Sequence, residues 1–305
     1  MECLETSYKN VPAYSLCQGE LSITVLKRGA KLQSIRFKGK ELLWQLGGEA
    51  YKQSNYGDIF ETGEFSGFDD MFPNISACFY PDGMWKGTQL PDHGEVWTQD
   101  WIGGMTQNGI GLSVYGVKLP YKLTKHISVE KNAILLDYRA ENLSQYPLKY
   151  IWAAHPLFIL EDGMKLELIG CEELMNVCDD PKQLGTYGEH HPWPVCARGR
   201  DMSRLTSKNR SYNKYYVWNQ LKENRSALMY PDGTVVTLSA PVDKVPYLGV
   251  WTDEDGYGYD MRCAAPEPCT GAFDRLDTAD LFGRVSVLES HKSVDWRLTI
   301  SVEQI

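Results

Sequence analysis

Between Ile110 and Phe158 the chain is cut into apolar segments of similar length by short polar stops, and this cadence limits the fold more than any other feature. The segments are Gly111–Val117, Tyr121–Val129, Ala133–Glu141 and Leu148–Phe158. Between them stand Leu119-Pro120, Glu130-Lys131-Asn132 and Asn142-Leu143-Ser144. Asparagine at such a stop tolerates the positive φ of a tight turn. Many short strands with turn signals at regular spacing predict a sandwich or barrel.

The rest of the chain repeats the pattern. In Leu21-Ser22-Ile23-Thr24-Val25 apolar and polar residues alternate, which puts Leu21, Ile23 and Val25 on one face. Leu32, Ile35 and Phe37 lie in a second extended run closed by Lys38-Gly39-Lys40, and the two runs read as an antiparallel hairpin. Another hairpin is predicted at 226–230 and 234–238, around the turn Pro231-Asp232-Gly233. Strands at 247–251, 285–288 and 294–302 complete the set, the last with Trp296, Leu298, Ile300 and Val302 on one face. Residues 162–210 read as mixed loop and short strand. Helical signal is confined to two turns at 276–282, opened by Asp274. With no repeat, linker or change of composition, residues 1–305 read as one all-β domain, a large antiparallel β-sandwich.

Composition then excludes several classes of function. The chain is 43% hydrophobic and 23% charged, enough to bury a large core. A net charge of −9 without any lysine- or arginine-rich run makes nucleic acid and anionic membrane poor partners. The eight cysteines contain no CxxC pair and no zinc-like grouping with histidine. No apolar run is long enough to span a bilayer, and the first residues lack the basic and apolar segments of a secretory signal. The expectation is a soluble, reduced, cytoplasmic protein.

Residues 51–104 break the cadence. They are rich in Gly, Pro, Asp and aromatics and show neither helical nor strand period. Long irregular stretches in a compact domain are functional or disordered. The many aromatics here, among them Phe60, Phe65, Phe72, Trp85, Trp97 and Trp101, argue for an ordered binding face.

Three residues then stand out. Glu267 lies in Ala265-Pro266-Glu267-Pro268-Cys269-Thr270-Gly271. Proline fixes its own φ and pushes the preceding residue into an extended conformation, so Glu267 is held on stiff, extended backbone, as suits a general base. Taken alone, Pro-Glu-Pro is equally a surface turn. His155 interrupts the apolar run Tyr150-Ile151-Trp152-Ala153-Ala154-His155-Pro156-Leu157-Phe158, where its ring must be hydrogen-bonded or used. It is either a satisfied core histidine or a pocket-facing acid or base. His93 sits in Asp92-His93-Gly94-Glu95, where Gly94 permits close backbone approach and Asp92 or Glu95 can hold the ring. No histidine groups with other ligands into a metal set. No Gly-x-Ser-x-Gly elbow or glycine-rich nucleotide loop occurs. Cys269, two residues from the Glu267 carboxylate, is a poor thiolate.

The ordered triple His93-Gly94, His155 and Glu267-Pro268-Cys269-Thr270 resembles the aldose 1-epimerase, or galactose mutarotase-like, family. The resemblance implies a supersandwich of large antiparallel sheets with an open carbohydrate cleft. It implies Glu267 as base, His155 as acid and His93 on the sugar, with no metal and no cofactor. It also implies a reducing sugar as partner, handled by a monomer or homodimer. Two features depart from the family. Its arginine after Pro is missing from Met71-Phe72-Pro73-Asn74-Ile75-Ser76, and Asn213-Lys214-Tyr215 stands where its sugar-binding aspartate is expected. Asp69 and Asp70 are candidates to take over hydroxyl binding, and Trp97, Trp85 or Tyr247 to stack on the sugar. Interconversion of sugar anomers is the first expectation, a non-catalytic sugar sensor the second. A glycoside hydrolase or lyase is the third, with Asp70 as the second carboxylate that hydrolysis requires. The absence of clustered Arg and Lys favours a neutral sugar.

Overall fold

A computed structural model of the chain describes residues 2–178 and 184–305. Among these residues the strands assemble into a thirteen-stranded and an eight-stranded antiparallel sheet, with two two-stranded ribbons beside them. The expected all-β supersandwich is what the chain forms. Its first half begins with two meanders made of local pairs. In one, Glu2–Tyr8, Val11–Gln18, Leu21–Leu26 and Leu32–Phe37 pair in sequence order. In the other, Ile102–Thr106, Gly109–Tyr115, Tyr121–Glu130 and Ala133–Asn142 do the same.

Alternation along each strand builds the core. Leu298, Ile300 and Val302 of Ser293–Gln304 are fully buried, and they join Leu16, Ile23 and Ile35 of the larger sheet in one contiguous apolar cluster. The larger sheet carries a second, smaller cluster on its other face, with Phe60, Phe65, Trp97, Leu157, Met261, Cys263 and Ala265. In Arg262–Cys269 the switch is visible residue by residue: Ala264 belongs to the main core, Cys263 and Ala265 to the second cluster. That second face is where the site lies.

The structure refines the sequence reading at several places. Residues 148–158 are not one strand. Leu148–Tyr150 pairs with Ser286–Leu288, whereas Ala153–Pro156 joins the large sheet beside Phe68–Met71. Pro156 has no N–H to donate, so a single uninterrupted ladder is not available to this segment. The Pro-Glu-Pro segment is the interior of a strand, which matches the extended backbone expected for Glu267 and excludes the alternative of a surface turn. Asp274 does not cap the helix Leu276–Leu281, whose N-cap is Arg275. The irregular reading of 51–104 matches short strands and two 3-10 turns, Phe60–Thr62 and Gly83–Trp85. Part of the mixed stretch at 162–210, residues 179–183, lies outside the described residues. No described helix is long and apolar enough to cross a membrane.

Candidate active site

Strand register brings Glu267 and His155 together. Arg262–Cys269 meets its neighbour at two places, Ala153 opposite Cys269 and Phe158 opposite Ala264. These pairs share one register, which sets His155 directly opposite Glu267. Pro266, Pro268 and Pro156 flank that pair, and none has an N–H for the ladder. His155 in turn lies opposite Asp69, and Glu267 opposite Gly249, which lies opposite Tyr216. A single row therefore crosses the sheet: Tyr216, Gly249, Glu267, His155, Asp69. His155 Nε2 lies 4.0 Å from Glu267 Oε1.

The glycine in this row is required by its neighbours. A Cβ on Gly249 would lie 3.1 Å from the Tyr216 ring and 3.4 Å from Glu267 Oε2. The side chain of Lys214, from the strand Ser211–Val217, reaches the same oxygen, Glu267 Oε2, as an ion pair. Lys214 also lies 3.9 Å from Asp274 Oδ1, which accepts a 2.8 Å hydrogen bond from Tyr216 Oη.

His93 arrives from the irregular segment. Its turn has positive φ at both His93 (56°) and Gly94 (74°). A Cβ on Gly94 would lie 2.3 Å from the Phe72 carbonyl oxygen, so only glycine fits where this turn packs on the Phe72 backbone. Asp92 fixes the ring: its Oδ2 lies 3.0 Å from His93 Nδ1 and also accepts the Phe60 backbone N–H at 3.0 Å. Phe60 stacks on the imidazole at a centroid distance of 4.2 Å. Glu95, the other candidate for this task, is turned away and accepts from the Val117 and Lys118 backbone amides and from Tyr56.

These three groups open on a cavity of about 630 Å³. Beside them its lining includes Lys214, Asp274 and the aromatic wall Tyr212, Trp251 and Tyr257, whose rings meet at 5.0 to 5.7 Å. Two buried polar atoms of these groups have no hydrogen-bond partner among the described residues, Glu267 Oε1 and His155 Nδ1. A buried polar atom without a partner is costly, and both belong to residues that line the cavity.

Burial and charge set the protonation of these groups. Burial pushes the Glu267 carboxyl above the usual carboxylate range, and Lys214 pulls it back only in part. For Lys214 burial works against the ammonium, but Glu267 and Asp274 outweigh it and hold the proton more tightly than in a free lysine. Burial, then the cations His93, Lys214 and Lys31, push His155 well below the ordinary histidine value. Partial burial works against the His93 cation too, yet Asp92, with Glu61 and Asp69 further off, raises it above that value. The two imidazoles are thus biased in opposite directions, His93 toward the charged form and His155 toward the neutral one.

Two expected sugar contacts are corrected by their positions. Asp70 is fully buried on the opposite face of its strand, where Lys125 pairs with it at 2.7 Å and Tyr138 and Trp152 donate to it at 2.9 and 3.1 Å. Both of its oxygens are used inside the core and neither faces the cavity. Trp97 stands behind the site, edge-on to Phe60, with its indole N–H donated to the Asp92 carbonyl. It supports the His93 turn and does not line the cavity. Asp69 points to the site side but is paired with Lys31 at 3.0 Å and does not line the cavity either. Of the other stacking candidates, Trp85 packs on Tyr80 and Tyr146, and Tyr247 lies beside Arg284. The wall is instead Tyr212, Trp251 and Tyr257. Sequence reasoning missed these and the function of Lys214. The available signal was the alternation Tyr212, Lys214, Tyr216, which puts all three on one face of a strand.

No family model matches the sequence, and no curated protein matches it. Solved structures do match, at low identity. The Slr1438 protein from Synechocystis sp. PCC 6803 superposes with a TM-score of 0.74 at 14% identity, over 98% of this chain and 99% of that one. A galactose mutarotase-like protein from Lactobacillus casei gives 0.70 at 15% identity, over 95% of this chain and 100% of that one. A galactose mutarotase related enzyme from Lactobacillus acidophilus gives 0.69 at 14% identity, over 96% and 97%. The fold is the galactose mutarotase-like one.

Proposed function

We propose that this chain is an aldose 1-epimerase, exchanging the α and β anomers of a reducing sugar by acid–base ring opening. The observation that carries the reading is the Glu267–His155 pair, opposed across one sheet and lining a sugar-sized cavity together with His93. Ring opening needs a base at the C1 hydroxyl and an acid at the ring oxygen, and His93 supplies the third edge of the site.

Glu267 takes the proton of the C1 hydroxyl. The oxygen's electron pair becomes the C=O of the open-chain aldehyde, the bond from C1 to the ring oxygen breaks, and the ring oxygen takes a proton from an imidazole. Rotation about C1–C2 presents the other face, and closure returns both protons. Each acid or base contributes roughly a hundredfold to ten-thousandfold. The raised pKa of Glu267 suits it to this work, because a base near the operating pH transfers protons best. The sequence reading gave the donor role to His155 and the holding role to His93. The charge pattern favours the reverse: His93, charged against Asp92, donates, while neutral His155 hydrogen-bonds the sugar beside Glu267. Trp251 and Tyr212 offer apolar faces to the sugar's C–H surface.

Of the alternatives, hydrolysis loses its named second carboxylate, since Asp70 is locked in the core. Polarimetry of pure anomers over a panel of aldoses, or saturation-transfer NMR, tests the reading. Faster equilibration of at least one sugar is expected. Binding without acceleration of any of them would make the chain a sensor.

A further inference from the structure

Lys214 has no part in the proton transfers above, yet its ammonium is the nearest cation to the base. It is buried in the lining of the cavity, in contact with Glu267 Oε2 and within 3.9 Å of Asp274. The other oxygen of Glu267 is left without a partner and faces His155. Three surroundings keep the pair in this arrangement. A Cβ on Gly249 would lie 3.4 Å from Glu267 Oε2, the Tyr216 ring lies 5.8 Å from Nζ, and Asp274 is itself held by Tyr216 Oη.

A buried ion pair is a weak stability device, because desolvation consumes most of the Coulomb gain. A lysine nucleophile is also a poor description, since two carboxylates keep this amine charged. What the arrangement does accomplish is asymmetry: one carboxylate oxygen is bound and the other is aimed.

We infer that Lys214 is a positioning residue for the base, its ammonium fixing Glu267 Oε2 so that Oε1 alone faces the C1 hydroxyl and enters the reaction ionised. The inference rests on the epimerase reading. It adds that a lysine, at the place where the resemblance leads one to expect a sugar-binding aspartate, serves the catalytic carboxylate and not the sugar. The groups facing Glu267 are Lys214 and Asp274 from one side and His155 and His93 from the other, so removing Lys214 removes the closest positive charge.

The test is the pH profile of kcat/KM for the wild type, Lys214→Met and Lys214→Arg on the best aldose. In Lys214→Met the acidic limb should move to higher pH by about one unit or more, the usual effect of losing an opposite charge at this range. The apparent KM should change little by comparison. In Lys214→Arg the limb should stay in place, because the charge remains. Turnover should nevertheless fall about tenfold or more, because a planar guanidinium engages both carboxylate oxygens and covers Oε1. An unmoved limb in Lys214→Met, or a large rise in KM with kcat intact, would overturn the inference and make Lys214 a sugar ligand or a structural residue. Should Lys214→Met not fold, Lys214→Arg decides: wild-type turnover, or a displaced limb, overturns the positioning role. A wild type that accelerates no aldose while binding one defeats the epimerase reading itself, which these variants do not touch.

Discussion

His93 and His155 meet edge to face, with ring centroids 5.2 Å apart and planes at 60°, and their protons are held by opposite causes. Asp92 stabilises the charged form of one, while burial and neighbouring cations expel the proton from the other. On this basis kcat/KM should fall on the alkaline side as His93 loses its proton, at a pH above the ordinary histidine value. His93→Asn should remove that limb. His155→Asn should lower turnover and leave the limb where it is. Profiles in which His155→Asn erases the limb return the donor role to His155.

Glu267→Gln keeps the size of the side chain and a carbonyl oxygen for Lys214 but removes the proton acceptor. The anomer exchange rate should drop by at least about a hundredfold. Sugar affinity, read by calorimetry or by NMR titration, should change little. An exchange rate equal to wild type would take Glu267 out of the mechanism.

Asp70→Asn separates structure from function at a position first read as functional. The change leaves the Lys125 ammonium, which has no exposed side-chain surface, without its counter-charge. Breaking a buried pair on one side costs about 3–5 kcal/mol, visible as a lower midpoint in urea. The fraction that remains folded should have the KM of wild type, because Asp70 does not reach the cavity. A raised KM with unchanged stability contradicts this placement.

Gly249→Ala probes the row across the sheet. The added methyl meets Tyr216 and Glu267 at 3.1 and 3.4 Å, tight enough to displace one of them. Misplacing a catalytic group by a fraction of its reach costs up to about a hundredfold in rate. The loss should appear in kcat, with thermal unfolding shifted only slightly. Unaltered kcat would mean that the carboxylate tolerates movement.

How much of this was legible in the sequence depends on the range of each signal. Proline chemistry around Glu267, a histidine inside an apolar run and a histidine before glycine are local, and all three residues converge on one cavity. The direction in which a strand residue points is not local. Asp69 and Asp70 are neighbours in Phe68–Met71, so they face opposite sides, and only the pairing of that strand decides which side is core. The sequence offered Asp70, and the register turned it inward. Lys214 was visible only as a departure from an expected aspartate. Its meaning depends on Gly249 and Glu267 in strands that pair with each other far from it in sequence. The edge strand Glu2–Tyr8 and its neighbour Val11–Gln18 were missed for a simpler reason, since both alternate weakly.

The row from Tyr216 to Asp69 joins strands that lie far apart in the chain, while the two opening meanders are made only of neighbours. Closing a long loop costs entropy before any contact repays it, so non-local sheets form slowly, in milliseconds to seconds. A chain emerging from the ribosome at roughly 5–20 residues per second can therefore complete both meanders well before Glu267 exists. Most of the core precedes the chemistry. On the proposed reading the site waits for residue 267 and for the strand Ser293–Gln304, which closes the centre of the smaller sheet after it, so a chain stalled before residue 267 would be folded in part and inert.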